Sequence, residues 1–285
     1  MPPKERLSAR MLYRSGVLRL KKVTPFPEKE YLAILASILN VSNPSSLVGE
    51  MDRLKLDGEV ESRLECLLVR RESFEPLAYI LGFEHFWGRR FVVNPHVLIP
   101  RPETELLLQQ FLSEVQPDAQ GVALDLGTGS GIIAISIAME RRKIQIIGSD
   151  LSQEALKTAR VNSFFHGVSP SWVQGDLLRF IPENSLDYLI SNPPYVPEKS
   201  RNTLPPTVLR FEPQTALFSG DDGLRHILRI LKDIPRVLKP GGQAFLEIGK
   251  DQSDTLEQVL CKTPIQKFIF LPDFAQIPRI LVIKK

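Results

Sequence analysis

This 285-residue sequence predicts an α/β fold: a mostly parallel seven-stranded sheet, with a smaller N-terminal helical domain and a β-hairpin linker before it. Three observations predict it. Over residues 26–72 the leucines and isoleucines recur at helical spacing. Over residues 79–93 aromatic and β-branched residues replace that periodicity. From residue 121 short apolar runs alternate with longer segments of helical period, as in strand–helix–strand units. A chain this long is expected to hold one large domain and a smaller one. The division read from these changes is a basic arm (1–25), a helical domain (26–76), a hairpin linker (77–99) and the sheet domain (100–285).

Composition narrows the class. Apolar residues at 43% and charged residues at 24% are those of a soluble globular protein. No apolar run approaches the roughly 20 residues that span a bilayer, so no membrane partner is expected. Cys66 and Cys261 lack the spacing of a metal site or a disulfide framework, which points to a reducing, cytoplasmic setting. His85, His96, His166 and His226 are scattered singly, and no metal is expected. The net charge of +3 is unevenly placed: residues 1–22 carry Lys4, Arg6, Arg10, Arg14, Arg19, Lys21 and Lys22 against Glu5, or +6, leaving −3 for the other 263. The arm reads as a solvated tail or the first helix of the next unit, with an RNA contact or a transit segment as alternatives. It lacks the apolar core of a secretory signal.

Taken in order, Tyr31, Leu32, Ile34, Leu35, Ile38 and Leu39 form one helical stripe. Leu54, Leu56, Val60, Leu64, Leu67 and Leu68 form a second, after a break at Asn43-Pro44. Phe83, Phe86 and Trp87 before Gly88-Arg89-Arg90, with Phe91-Val92-Val93 beyond it, predict a hairpin. Pro100 and Pro102 stiffen the next connector, and Pro102 can open a helix that buries Leu106, Leu107, Phe111 and Leu112. Arg101 between them is either a guanidinium positioned for a ligand or a surface linker residue. Strands are expected at 122–126, 144–148, 171–173, 188–190, 244–248, 267–270 and 280–283, and helices at 130–141, 152–165, 223–237 and 252–261. The last two strands are too closely joined for a helical crossover and should pair antiparallel. The stretch 196–221, rich in proline and without periodicity, reads as a substrate-facing cover.

Two stretches carry chemistry. Asp125-Leu126-Gly127-Thr128-Gly129-Ser130-Gly131 joins the first strand of the sheet to a helix, where glycines let the backbone turn and approach a ligand. Ile132 stands where a dinucleotide motif needs its third glycine, and no phosphate-loop lysine follows. Asp150 ends the second strand, where an acid can hold ribose hydroxyls, although it is also a helix N-cap candidate. Asp176 and Leu177 follow the third strand, placed to line an adenine pocket. The second stretch is Asn192-Pro193-Pro194-Tyr195, after an apolar run. The prolines fix their own φ near about −65° and hold the residues before them extended. The Asn192 side-chain oxygen and a main-chain carbonyl then project stiffly beside an aromatic ring, an arrangement suited to a planar NH2 group. The plainer reading is a strand that stops at a proline-rich turn.

These motifs, with Leu98 to Glu105, Glu212-Pro213, Ala216-Leu217 and Asp222-Gly223-Leu224, resemble the HemK/PrmC family of class I (Rossmann-like) S-adenosylmethionine-dependent methyltransferases. The resemblance runs through residues 79–250, fits the helical domain loosely and does not reach residues 1–22. It implies methylation of the glutamine amide in the GGQ motif of peptide-chain release factors, with the helical domain as a substrate-docking unit. It also implies a cofactor, S-adenosyl-L-methionine, held by Gly127, Thr128, Gly129, Ser130, Gly131, Asp150, Asp176, Leu177 and Asn192. Asn192, Pro193 and Tyr195 would be catalytic, the Asn192 oxygen and the Pro193 carbonyl accepting from the amide NH2, while Tyr195 packs on the amide or serves structure alone. Pro194 and Arg101 complete the expected substrate contacts. The protein is expected to be a cytoplasmic monomer with no stable nucleic-acid partner. Two rivals stand beside this reading: an adenine-N6 or cytosine-N4 nucleic-acid methyltransferase, which shares the acceptor geometry but not the acidic body, and a non-catalytic cofactor-binding protein associated with ribosomes through the basic arm.

Overall fold

The computed structural model describes residues 8–285. They fall into two units, one ending at Gly82 and including residues 206–211, the other comprising Phe83–Pro205 and Glu212–Lys285. In the first, helices α1 (Ala9–Leu20), α2 (Pro27–Leu39), the short α3 (Leu47–Glu50), α4 (Gly58–Glu72) and α5 (Leu77–Leu81) enclose a core of Leu20, Tyr31, Ile34, Leu35 and Leu64. Of the readings of the basic segment, the first helix of the next unit holds for the described residues, and the separate arm bounded at 1–25 is corrected. Residues 1–7 lie outside the described residues, but Ala9–Leu20 is a helix of this core, because Val17 and Leu20 share its buried face. Arg19 pairs with Glu65 and Glu72, both at 2.6 Å, so part of the basic charge is answered inside the unit. Leu54 and Leu56 precede α4, which Asp57 caps by accepting from Val60 N at 2.8 Å. The boundary also moves, since α5 places the first residues of the expected 77–99 linker in the helical unit.

In the second unit β1 (Phe83–Phe86) and β2 (Arg89–Val92) pair antiparallel around Trp87-Gly88. Both turn residues have positive φ, 53° and 68°, the backbone of a tight two-residue hairpin turn. There follow α6 (Pro102–Glu114), β3 (Gly121–Leu126), α7 (Ile132–Glu140), β4 (Ile144–Asp150), α8 (Gln153–Phe165), β5 (Ser171–Gln174) and β6 (Leu186–Ser191). Next are α9 (Pro206–Phe211), which groups with the first unit, then α10 (Gln214–Leu217), α11 (Arg225–Val237), β7 (Leu238–Glu247), α12 (Ser253–Leu260), β8 (Lys267–Pro272) and β9 (Pro278–Lys284). Strands β3 to β9 form one seven-stranded sheet in the order β5-β4-β3-β6-β7-β9-β8. Only β9 runs against its neighbours, so β8 and β9 pair antiparallel as their short connection requires.

The central strands are near-continuous apolar runs because both faces are covered. Leu107, Phe111, Ile133 and Ile135 from α6 and α7 fill one face, and Ile227, Ile230, Leu256 and Leu260 from α11 and α12 fill the other. The chain builds β3, β4 and β5 in one direction, then returns to lay β6 on the other side of β3. That reversal is where ligands settle in open α/β sheets, beyond the carboxyl ends of the strands. Among the described residues no single helix is long and apolar enough to cross a membrane.

Candidate active site

Register decides which residues meet at that edge. Leu126 on β3 is the partner of Ser149 on β4 and of Ser191 on β6, Asp150 is the partner of Gln174 on β5, and Ser191 is the partner of Leu246 on β7. Adjacent strands lie about 4.8 Å apart, so the residues that come next, Gly127, Asn192, Gly175 and Glu247, gather at one end of the sheet. A cavity of about 410 Å³ opens at Gly127, Gly175 and Asn192, lined also by Gly129, Asp150, Leu177 and Pro194 with others. A broader depression of about 940 Å³ lies at the amino ends of β4 and β5, away from every motif.

The glycine turn is pinned by its neighbour strand: Gly127 N and Thr128 N both donate to Ser149 O at 2.8 Å, and Gly129 N donates to Asp150 Oδ2 at 2.9 Å. Gly127 and Gly129 have φ of 72° and 55°, and a Cβ on either would meet nothing within 4 Å. Backbone conformation, not crowding, therefore asks for glycine at these two positions, which face the cavity. Gly131 differs, since a Cβ there would lie 3.0 Å from both Ile135 and Trp172. Thr128 and Ser130 are buried and turned away from the cavity. Thr128 Oγ1 donates to Asp125 Oδ2 at 2.5 Å, and Ser130 O accepts from Asn162 Nδ2 at 2.9 Å. Of the five loop residues expected at the cofactor, the structure places Gly127 and Gly129 at the cavity and gives Thr128, Ser130 and Gly131 to the packing beneath it.

Asp125, which ends the apolar run of β3, does the work of a missing helix cap. Gly131 at the N-cap of α7 has no side chain to offer, and Asp125 Oδ2 accepts from Ala134 N at 2.9 Å instead. Burial pushes this carboxyl up to about 7 from an ordinary 3.8, against the pull of the hydrogen bonds from Thr128 and Ala134. An acid raised in the folded state contributes most below its unfolded pKa and loses that contribution as pH rises through the folded one. We expect the Tm of the ligand-free protein to fall as pH is raised from about 5 to about 8, and Asp125→Asn to remove a large part of that fall. A melting profile unchanged by the substitution would show that Asp125 does not ionise in this range.

Asp150 does not cap α8; Ser152 does, its side chain accepting from Ala155 N at 3.2 Å. Asp150 instead bridges, accepting from Gly129 N with one oxygen and from Ser152 N with the other at 2.8 Å. Burial raises its pKa despite those bonds. Asp176 and Leu177 line the cavity as expected of their position. Asp176 is paired with Arg229 at 2.7 Å and Arg179 at 3.3 Å, and the Arg229 hydrogen bond draws its pKa down. His226, a lining residue with no sequence signature, keeps close to Ser219 Oγ at 2.8 Å, and burial, with Arg229 and Arg225 beside it, lowers its pKa.

At the end of β6, Asn192 Nδ2 donates to Thr104 Oγ1 at 2.9 Å, and Asn192 Oδ1 accepts nothing from the described residues. Pro193 is buried and Pro194 lines the cavity. Tyr195 is set back: its hydroxyl donates to Glu247 Oε1 at 3.4 Å, and burial raises its pKa beyond the ordinary phenol range. Arg101 departs from expectation, because its guanidinium is committed to the buried Glu212 at 2.5 Å. Glu212 also accepts from Ile99 N at 3.2 Å, so Arg101 clasps the stretch whose next residues, Pro213, Thr215 and Ala216, line the cavity. The stretch 196–221 is not a structureless loop, for it contains α9, α10 and a short 3-10 turn at Glu198–Thr203. Its parts at Val196 and Glu198 are stitched to Leu217 and Gly220 by bonds of 2.9 Å.

The edge thus offers a glycine turn flanked by two carboxylates, and beside it a fixed amide oxygen. Comparison with known proteins places the chain among relatives. Residues 11–82 match the PrmC N-terminal domain model and residues 102–210 the Methyltransferase small domain model. The release factor glutamine methyltransferase of Staphylococcus aureus is 40% identical over 225 residues, 78% of this chain and 80% of that one. The protein of the same name from Coxiella burnetii is 32% identical over 268 residues, 94% and 95% of the two chains. Among solved structures, a Pyrococcus furiosus methyltransferase superposes with a TM-score of 0.52 at 17% identity, covering 79% of this chain and 98% of that one. The hMettl16 catalytic domain, solved in complex with an RNA hairpin, superposes with a TM-score of 0.53 at 15% identity, covering 81% and 83%. At those identities the two structures speak to the fold alone.

Proposed function

The chain belongs to the release factor glutamine methyltransferase family, and from that premise we propose that it transfers a methyl group from S-adenosylmethionine to the side-chain amide nitrogen of the glutamine in the GGQ motif of a peptide-chain release factor. The observation that carries this reading is the Asn192 amide, with its nitrogen tied back to Thr104 and its oxygen left for a ligand at the cavity. The residues present fit the cofactor. Gly127 and Gly129 leave open space above the turn, Asp150 and Asp176 stand at successive strand ends, and Ser149 Oγ is buried at the cavity without a protein partner. When bound, the cofactor supplies an electrophilic methyl group on a sulfonium.

This chain's own part is to make a poor nucleophile ready. An amide lone pair is delocalised into its carbonyl, so the NH2 must be held with that lone pair aimed at the methyl carbon. In our reading Asn192 Oδ1 and the Pro193 carbonyl accept the two N–H bonds, raising electron density on nitrogen and fixing its direction. Prolines at 193 and 194 keep those acceptors stiff, and Pro194 forms the adjoining wall. Tyr195, anchored at Glu247, supports the strand end from behind. The protein acts as a cytoplasmic monomer on this protein substrate, and the acidic balance beyond the first 22 residues disfavours a nucleic-acid target.

Methyl-labelled S-adenosylmethionine offered separately to release factor, to the factor with its GGQ glutamine replaced, and to DNA tests the proposal. Label is expected on the intact factor alone. Label on DNA alone would replace this reading with base methylation, and no transfer to any of them would leave a binding protein.

A further inference from the structure

The end of β7 carries a charge that its surroundings do not explain. Ala244, Phe245 and Leu246 are fully buried apolar residues, and the run ends in Glu247, itself 1% exposed. Glu247 Oε2 accepts from Thr104 Oγ1 at 2.8 Å, and Thr104, 2% exposed, accepts in turn from Asn192 Nδ2. Ser191 and Leu246 are register partners, so Asn192 and Glu247 are the next residues on adjacent strands, while the first turn of α6 inserts Thr104 between them. A carboxylate only accepts, a threonine hydroxyl has one proton to give, and an amide has a donating and an accepting end. The chain of bonds therefore has a direction, Asn192 to Thr104 to Glu247, and that direction turns Asn192 Oδ1 toward the cavity. We infer that Thr104 and Glu247 are positioning residues that fix the orientation of the Asn192 amide, so that the substrate nitrogen always meets an oxygen and never an NH2.

The inference rests on the function proposed above for what it says about turnover, and on geometry alone for what it says about Asn192. A flipped amide would set a donor against the donors of the substrate, and an unanchored one would sample both orientations. Glu247 must be ionised for the direction to hold. The groups that face it are Thr104 and Glu103 from α6, Tyr195 beyond β6 and Arg279 from β9. Burial first, with Glu103 adding to it, pushes its pKa up to about 7 against Thr104, Arg279 and Tyr195. A protonated Glu247 can donate to Thr104 and release the hydroxyl proton toward Asn192, so turnover should fall as pH drops through that value.

The test uses the full-length protein, release factor and S-adenosylmethionine. Thr104→Val, which keeps the shape and removes the hydroxyl, is expected to lower kcat roughly 10- to 100-fold, within the range for losing an element of a preorganised site. Cofactor affinity and the KM for release factor should stay within about twofold, as for a loss felt in the transition state alone. Thr104→Ser should recover most of the loss. Glu247→Gln, which keeps every heavy atom and covers the case in which Thr104→Val does not fold, should lower kcat similarly and remove the decline toward low pH. In cofactor-loaded protein the side-chain amide protons of Asn192, followed by NMR exchange, should be protected in the parent and in Thr104→Ser and exposed in Thr104→Val and Glu247→Gln. A parent-like kcat and parent-like protection in Thr104→Val and Glu247→Gln would overturn the positioning role. If the parent itself fails to methylate the factor, the proposed function falls, and the exchange measurement still decides the positioning role.

Discussion

Replacing Asn192 by alanine should lower turnover on release factor by roughly 10²- to 10³-fold while leaving S-adenosylmethionine affinity nearly intact, the scale seen when one directed transition-state hydrogen bond is lost. The split follows from where the residue sits. Asn192 touches the cavity from the end of β6, whereas the glycine turn and Asp150 reach it from β3 and β4. Removing the amide takes away the acceptor that orients the substrate nitrogen and leaves the glycine turn with all its bonds to Ser149 and Asp150. Asn192→Asp should do no better than alanine. It restores an oxygen but removes the donor to Thr104 and brings a second carboxylate toward Glu247, already raised by burial. Single-turnover rates and calorimetric cofactor binding on the same preparations separate the two effects. Near-normal methylation by Asn192→Ala would remove the residue from the mechanism.

How far the sequence could be read depended on whether a signal was local. The seven strands, their alternation with helices and the antiparallel close of the sheet were all legible, because each is written in a run of a few residues. So were the hairpin near Gly88, although its turn is Trp87-Gly88 and Arg89-Arg90 belong to β2, and the start of α6 at Pro102. The spacing of Gly127, Gly129 and Gly131 announces a turn but not its faces, and only packing against Trp172 and Asp125 shows that Gly131 and Thr128 look inward. Arg101 looked free because its partner Glu212 is 111 residues away, and Thr104 and Glu247, 143 apart, are joined only by the packing of α6 on β7. Glu247 did leave a trace, an acid closing an otherwise apolar strand, which is costly unless paired. The first helix stayed one of two readings, beside a solvated tail, for a different reason. Its basic residues dominate its composition, while the residues that bury it, Gly16, Val17 and Leu20, are few.

Asp150→Ala should have the opposite emphasis, weakening cofactor affinity by roughly 10- to 100-fold, as expected for losing hydrogen bonds to a charged group. Two losses combine. In the proposed complex its carboxylate would hold the ribose hydroxyls, and in the protein as it stands it takes the N–H of Gly129 and of Ser152. The second loss frees one end of the glycine turn, although Gly127 and Thr128 stay bound to Ser149 O at 2.8 Å and should keep the turn near its place. At saturating cofactor the rate should therefore return close to the parent value, since Asn192 and its anchors on α6 and β7 are untouched. Asp150→Asn isolates the contributions. It can present one oxygen to Gly129 or to a ribose, but not to both and to Ser152 as well, so its affinity should fall between parent and alanine. Because a ligand stabilises the folded state by RT ln(1 + [L]/Kd), the rise in Tm at a fixed excess of S-adenosylmethionine should shrink in the same order. Unchanged affinity in calorimetry for Asp150→Ala would place the ribose elsewhere on this edge, with Asp176, paired to Arg229, as the remaining carboxylate at a neighbouring strand end.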